Sequence, residues 1–183
     1  MKNTKIAQKG NFTLFVKDSE VIFNPRTEYD CFSNMVCFHN RYRLGDKHNY
    51  NKNDYNSWEE LKNAITKDND IFLIYPLYMY EHSGVSLSIE PFSCPFDSGQ
   101  IGFVFVTKQM IRESFSIKRC TKKYETKALD NIKSELSEYV SYLNGESYEY
   151  VIEDENNDVV DSCCGYFSYD DCVAAGSECL NNM

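Results

Sequence analysis

The chain has 183 residues, 42% of them hydrophobic and 15% aromatic, enough for a packed core and too many for a disordered chain. Its 28 acidic and 19 basic side chains leave a net charge of -9, which disfavours indiscriminate nucleic-acid binding. The longest apolar run, Ile71 to Tyr80, is broken by Pro76 and falls short of the roughly 18 residues a membrane span requires, so no membrane partner is expected.

In chain order, Phe12–Val16 and Val21–Phe23 flank the polar Lys17-Asp18-Ser19-Glu20 and read as a hairpin. Asn24-Pro25-Arg26 leaves the sheet, because proline cannot continue a ladder. Met35–His39 is an apolar strand, Leu44-Gly45-Asp46 a turn, and residues 46–56 a polar loop. Ser57 and Glu60 form a capping box that opens a helix with Trp58, Leu61 and Ile65 on one face, ending near Lys67. Ile71–Tyr80 has the length and the aromatic and β-branched content of a buried strand, with Pro76 marking a bulge or break. Val85–Ile89 alternates apolar and serine residues, as a strand with one wet face does. Residues 91–100 read as a loop, Ile101–Val106 as a central strand, and Thr107 as the cap of a short helix reaching Phe115.

The clearest helix spans Thr121–Leu143, with Tyr124, Ala128, Leu129, Ile132, Leu136, Tyr139, Val140 and Leu143 at helical spacing and Gly145 as its stop. Two strands, Tyr148–Glu153 and Val159–Cys163, then enclose the acidic turn Asp154-Glu155-Asn156-Asn157. A last helix opens at Ser168-Tyr169-Asp170-Asp171, with acids in its first turn, and reaches about Leu180. Hairpins separated by helices indicate an α+β fold, a mainly antiparallel sheet with helices packed on one face. A single domain over residues 1–183 is the expectation, with an acidic C-terminal subdomain at 145–183 as the alternative.

The charge is segregated along the chain. From Ser134 to the C-terminus there are twelve acidic residues and no Lys or Arg, whereas residues before Ser134 carry 19 basic and 16 acidic side chains, a net of about +3. Tyr148, Val151, Ile152, Val159 and Val173 interleave with the acids, so this region folds and displays its charge on a shaped surface that attracts basic partners. Glu146, Glu149, Glu153, Asp154, Glu155, Asp158, Asp161, Asp170 and Asp171 are the candidate partner-binding residues. A basic and aromatic cluster around Arg41, Arg43, Lys47 and Lys52 supplies candidate RNA contacts. A second cluster, Arg112, Lys118, Arg119, Lys122 and Lys123, could contact phosphate as well, and ordinary solvated charge is the competing reading for both clusters.

Catalytic chemistry has weaker signals. Cys94, His82 and Asp97 are the residue types of a thiol triad, and His39, His48 and Asp97 those of a metal site, but neither set has diagnostic spacing. There is no GxxxxGK[ST] or GxGxxG phosphate loop and no GxSxG elbow. No cofactor or metal is expected, and a small hydrolase or metal-dependent enzyme using His39, His82, Cys94 and Asp97 stands as the alternative to a binding protein. The eight cysteines contain no CxxC, and MKNTKIAQKGNF lacks the apolar core of a secretory signal, so reduced thiols in a cytoplasmic protein are expected. Aromatic-rich chains of this size self-associate through exposed patches, which makes a homodimer a further expectation.

Several blocks carry a resemblance. Asn24-Pro25-Arg26, Tyr29-Asp30, Asn34-Met35-Val36-Cys37-Phe38-His39, Arg41-Tyr42 and Leu44-Gly45-Asp46 resemble a family of small proteins encoded by phages and mobile elements, whose members carry a segment of the form NLGTMVCxHxRYxLGD. Pro76-Leu77-Tyr78, His82-Ser83-Gly84 and the run from Pro91 to Gly102 are similar to that family's second block, and Asp161-Ser162-Cys163 with Gly165 to a shorter third. Cys31-Phe32-Ser33 and Cys164 depart from the pattern, where the family has an Asn-Leu-Gly-Thr turn and an aromatic. The resemblance implies a protein made in a bacterial host during phage infection or by an integrated element. In size and charge the chain is similar to anti-CRISPR inhibitors of the type II effector nuclease. That implies a stoichiometric inhibitor whose partner is such a nuclease, with its guide RNA, held through an acidic surface that mimics nucleic acid.

Overall fold

The computed structural model describes residues 3–183, and in it the β-prone segments pair into two four-stranded antiparallel sheets. In chain order the elements are β1 (Thr4–Lys9), β2 (Phe12–Asp18), α1 (Pro25–Glu28), β3 (Asn34–Cys37), α2 (Trp58–Asp68), β4 (Ile71–Glu81), β5 (Val85–Ser88), β6 (Ser98–Thr107), α3 (Lys108–Ser114), α4 (Lys123–Leu143), β7 (Tyr148–Glu153), β8 (Val159–Tyr166) and α5 (Tyr169–Asn182). The fold class is α+β. The chain divides into two compact units, one formed by residues up to Asn24 with Ser141–Met183 and the other by Pro25–Val140. No described helix is long and apolar enough to cross a membrane.

The first unit is the sheet β1-β2-β7-β8 with α5 laid across it. Its N-terminal hairpin lies earlier than the sequence suggests: β1 pairs with β2 around Gly10-Asn11, where Gly10 has φ +58, and Val21–Phe23 forms no strand. Ser19 causes the difference. Its N–H donates to the Ser147 carbonyl at 2.8 Å and its hydroxyl to the Val21 carbonyl at 3.0 Å, which turns the chain off the sheet before Val21. β2 then pairs with β7 from Thr13–Glu153 to Asp18–Tyr148, joining the two ends of the sequence. Leu14, Val16, Tyr150 and Ile152 face Cys172 and Leu180 of α5 as one core. The helix sits so close that a Cβ on Gly176 would lie 2.7 Å from Leu14 Cδ1 and 3.0 Å from Tyr150 Cβ. The Ser168 hydroxyl caps α5 by accepting from Asp171 N–H at 3.3 Å.

The second unit is the sheet β3-β6-β4-β5. β6 is central and its Ile101–Val106 stretch is apolar and buried, as its composition implies, and Gly102 lets β3 approach: a Cβ there would stand 1.9 Å from the Val36 carbonyl oxygen. β4 runs unbroken through Pro76, and its irregularities fall instead between Ile71 and Leu73 and between Leu77 and Tyr78. Proline is tolerated because β5 pairs only with Tyr78–Glu81, leaving the Pro76 half of β4 an edge where the missing N–H costs no ladder bond. α2 packs Leu61 and Ile65 onto Val36, Phe103 and Phe105. Ser57 caps it by accepting from Glu60 N–H at 3.2 Å, while the Glu60 carboxylate reaches back to Asn56 N–H at 2.7 Å, one residue beyond the expected partner.

A buried ionic network fixes the segment between α1 and β3. The Arg26 side chain is 2% exposed and forms a fork onto Asp46, Nε to Oδ1 at 2.9 Å and Nη2 to Oδ2 at 2.6 Å. The same carboxylate accepts from Met35 N–H at 2.7 Å, and Arg26 also donates to the Ser33 carbonyl at 2.7 Å. From α4, Glu135 accepts from Phe32 N–H at 2.5 Å and Ser33 N–H at 3.0 Å, with Arg26 Nη1 at 3.6 Å. Burial pushes the Glu135 carboxyl above the usual range, against the donors from Ser33 and Phe32 and the charge of Arg26.

Candidate functional site

Two places gather the sequence-derived candidates, one in each unit. In the second unit, the ends of β3 and β4 and the start of β6 surround a polar cleft of about 380 Å³ whose walls include His39, Arg41, Lys52, Glu81, Phe96 and Asp97. His39 Nδ1 accepts from the N–H groups of Arg41 and Tyr42, both at 3.3 Å, so its proton resides on Nε2. Its ring stacks on Tyr42 at 5.1 Å. Glu81 is held by Arg41, as an ion pair, and by the Tyr42 hydroxyl, which donates at 2.8 Å. That hydrogen bond to Glu81 pushes the Tyr42 phenol above its usual range. Lys52 lies 4.9 Å over the Trp58 ring, while Arg43 and Lys47 are exposed and do not line the cleft.

Asp97 gathers the other catalytic candidates. Its Oδ2 accepts from the Cys94 thiol at 3.6 Å and lies 3.5 Å from His82 Nδ1. A nucleophilic cysteine needs the imidazole to take the thiol proton, with the carboxylate behind the imidazole. Here the thiol and the imidazole both contact the same carboxylate oxygen, and the thiol donates to that oxygen. His39 and His48 do not share a site with them in the way a metal requires: His48 Nε2 bonds the Cys37 carbonyl at 3.1 Å, against Phe38. Among the described residues no group of three His, Cys, Asp or Glu side chains is arranged to hold a metal ion. Sequence reasoning missed Phe96, which is 94% exposed in the cleft wall. Its position between Pro95 and Asp97, in a loop with no strand partner, was the available signal.

The first unit holds the acidic candidates. It contains four Lys against twelve Asp and Glu, a net of -8, whereas the second unit has 15 basic and 16 acidic residues, a net of -1. Glu146 is exposed after α4, and Asp170 and Asp171 are exposed in the first turn of α5. The β7–β8 turn is fixed by its own hydrogen bonds: Asp154 Oδ1 accepts from Asn156 N–H at 2.8 Å and Asp158 N–H at 2.9 Å, and these amides hold its carboxyl below the usual range. Glu155 accepts from Asn11 Nδ2 at 2.9 Å, Asp158 is exposed, and Glu153 ends β7 half-buried. Two further candidates are engaged with side chains of the same unit. Glu149 pairs with Lys17 at 2.7 Å. Asp161 accepts from the Cys179 thiol at 2.7 Å and the Tyr150 hydroxyl at 3.4 Å, and the Cys179 bond leads in holding its carboxyl below the usual range. The acid run also crosses the unit boundary, since Glu135 and Glu138 belong to the second unit.

Compared with protein-family models, with curated proteins and with solved structures, the chain matches none.

Proposed function

We propose that this chain is a counter-defence protein of a phage or mobile element that inhibits a type II CRISPR effector nuclease by stoichiometric binding through the acidic face of its first unit. The observation that carries this reading is the confinement of a net -8 to one small unit, with the charge on a hydrogen-bonded turn and a capped helix rather than on a loose tail. Fixed charge lowers the ordering cost of binding and speeds encounter with a basic partner. A CRISPR effector offers such a partner, because it holds guide RNA and target DNA in positively charged channels. The setting is the bacterial cytoplasm, and the basic residues Arg41, Arg43, Lys47 and Lys52 of the second unit are available to the guide RNA.

Binding is favoured over catalysis by the Cys94–Asp97–His82 geometry, in which the thiol donates its hydrogen bond to the carboxylate. The test is titration against a purified type II effector in a DNA-cleavage assay. Inhibition is expected to saturate near equimolar protein, to weaken about tenfold or more as salt rises toward 1 M, and to be lost in the combined variant Glu153→Lys, Asp154→Lys, Glu155→Lys, Asp158→Lys. Cys94→Ala and His82→Ala are expected to inhibit as the parent does. Full inhibition by the charge-reversed chain would refute the acidic-surface reading, and sub-stoichiometric inhibition abolished by Cys94→Ala would establish the enzyme instead.

A further inference from the structure

The two edges of the first unit's sheet are treated differently. β1, at one edge, carries exposed Lys5 and Lys9, the charged guard that natural edge strands use against pairing with other chains. β8, at the other edge, has no Lys or Arg, and exposes Val159 (59%) and Val160 (45%) together with Cys163 and Cys164. An open β-branched edge without lysine is a template for strand addition.

The hydrogen bonds show which backbone groups face outward. β8 opposes β7 in the pairs Asp161–Ile152, Ser162–Val151 and Cys163–Tyr150, and consecutive antiparallel pairs alternate between exchanging ladder bonds and not. Ser162 N–H donates to the Asp161 carboxylate at 2.8 Å, so Ser162 belongs to the non-exchanging set, with Cys164 two residues on. The Cys164 carbonyl accepts only a long contact, 3.7 Å, from the Cys163 thiol. The outward groups thus hold local side-chain contacts that a strand could replace. Bulges bound the usable length: Val160 is extra where pairing steps from Glu153–Val159 to Ile152–Asp161, and Gly165, at φ +93, is extra between Glu149–Cys164 and Tyr148–Tyr166. Between them only Asp161–Cys164 is regular, room for about four paired residues.

We propose that β8 takes up a short, extended, Lys- or Arg-bearing segment of the partner as an added strand. Charge selects the occupant. A second copy would bring a unit of net -8 against another of net -8, whereas a basic segment meets exposed Glu155, Asp158, Asp170 and Asp171 and no competing cation on β7 or β8. This mode rests on the acidic-surface reading and names how that surface holds its target: backbone ladder bonds supply affinity, and the acids supply selection.

The experiment uses the full chain and a short peptide of alternating Lys and Val, with an alternating Glu and Val peptide as control, by fluorescence anisotropy and by amide exchange. The basic peptide is expected to bind and to slow exchange at Ser162 and Cys164. Ser162→Pro, which removes an outward N–H without touching the β7 ladder, is expected to weaken binding about tenfold, and Val160→Lys to do the same. If reversing Glu155 and Asp158 to Lys abolishes binding while Ser162→Pro leaves it unchanged, the acidic surface stands and strand addition is overturned. Equal binding of the acidic peptide, or self-association of the free chain that Ser162→Pro abolishes, also overturns it. Should Ser162→Pro unfold the unit, unchanged exchange at Ser162 and Cys164 in the peptide-bound parent chain is the refuting result. Peptide binding with the expected variant pattern, but no inhibition of the nuclease, would leave strand addition intact and remove the nuclease as the target.

Discussion

Asp46→Ala tests the buried network that fixes the segment leading into β3. The substitution removes both acceptors of the Arg26 fork, at 2.9 and 2.6 Å, and the acceptor of Met35 N–H at 2.7 Å. It leaves a guanidinium whose side chain is 2% exposed with the Ser33 carbonyl and, at 3.6 Å, Glu135. Stranding one member of a buried ion pair costs about 3–5 kcal/mol. The low end, about 3 kcal/mol, applies here because Glu135 still offers a counter-charge and the Asp46 side chain is 23% exposed, so water can enter. Trp58 is the single tryptophan and lies in the second unit, so its fluorescence during urea unfolding reports that unit alone. With a slope of about 1.5 kcal/mol/M, the midpoint should fall by about 2 M. The double variant Arg26→Met, Asp46→Leu, which removes both charges of the fork and leaves Glu135 and Met35 N–H without a partner from it, should lose less than Asp46→Ala does. A loss below about 1 kcal/mol for Asp46→Ala alone would show that the fork is not what holds the segment.

Glu135 gives a pH signature with a definite sign. Its folded pKa is raised by burial, so between its unfolded and folded values the native state binds more protons, and the group's contribution to stability falls as pH rises through that window. The stability of the parent chain minus that of Glu135→Gln should therefore decline from acid toward neutral pH in urea titrations, and a rising difference would contradict the burial argument. Gly176→Val should cost about 1–3 kcal/mol by overpacking against Leu14 and Tyr150, read by circular dichroism and by faster labelling of Cys172. In thiol alkylation followed by peptide mapping, the exposed Cys163 and Cys164 should react first. Cys37, which burial pushes up to about 12, and Cys172, pushed up to about 11, should react only on unfolding.

The elements readable from the sequence are those whose causes are local. Ser57, Thr107 and Ser168 each cap the helix they precede, and Ala128, Ile132, Leu136 and Tyr139 mark the buried face of α4 at helical spacing. β6 is apolar enough to announce a central strand. β1 was not readable, because Thr4–Lys9 carries only Ile6 and Ala7 as apolar residues and forms a strand by virtue of its partner. Nor was the pairing of β2 with β7, since nothing in either strand says which distant strand completes its ladder, and this pairing is what separates one sheet into two. The acidic turn was legible as composition. That Asp161 is occupied by Cys179 and Tyr150, and Glu149 by Lys17, was not, because those contacts exist only once α5 and β2 are laid against β7 and β8.

The same pairing sorts charge across the sheet. In the order β1-β2-β7-β8, Lys5, Lys9 and Lys17 lie on the first two strands, while the acids at positions 149–161 lie on the last two and their turn. Lys17 is consumed by Glu149, and Lys9 donates to the Asn181 carbonyl at 2.7 Å at the end of α5. A partner approaching β8 therefore meets no strand lysine that its own cations must displace. Sequence order alone placed the lysines and acids more than a hundred residues apart, which suggested two separate charged regions. Folding brings them into one unit and leaves the open edge without a cation and near exposed acids, so that what excludes a second copy from β8 is the same charge that admits a basic strand. Val160→Lys would give β8 the guard that β1 already has, and on this argument it should weaken capture of the basic segment more than its small change in net charge would by itself.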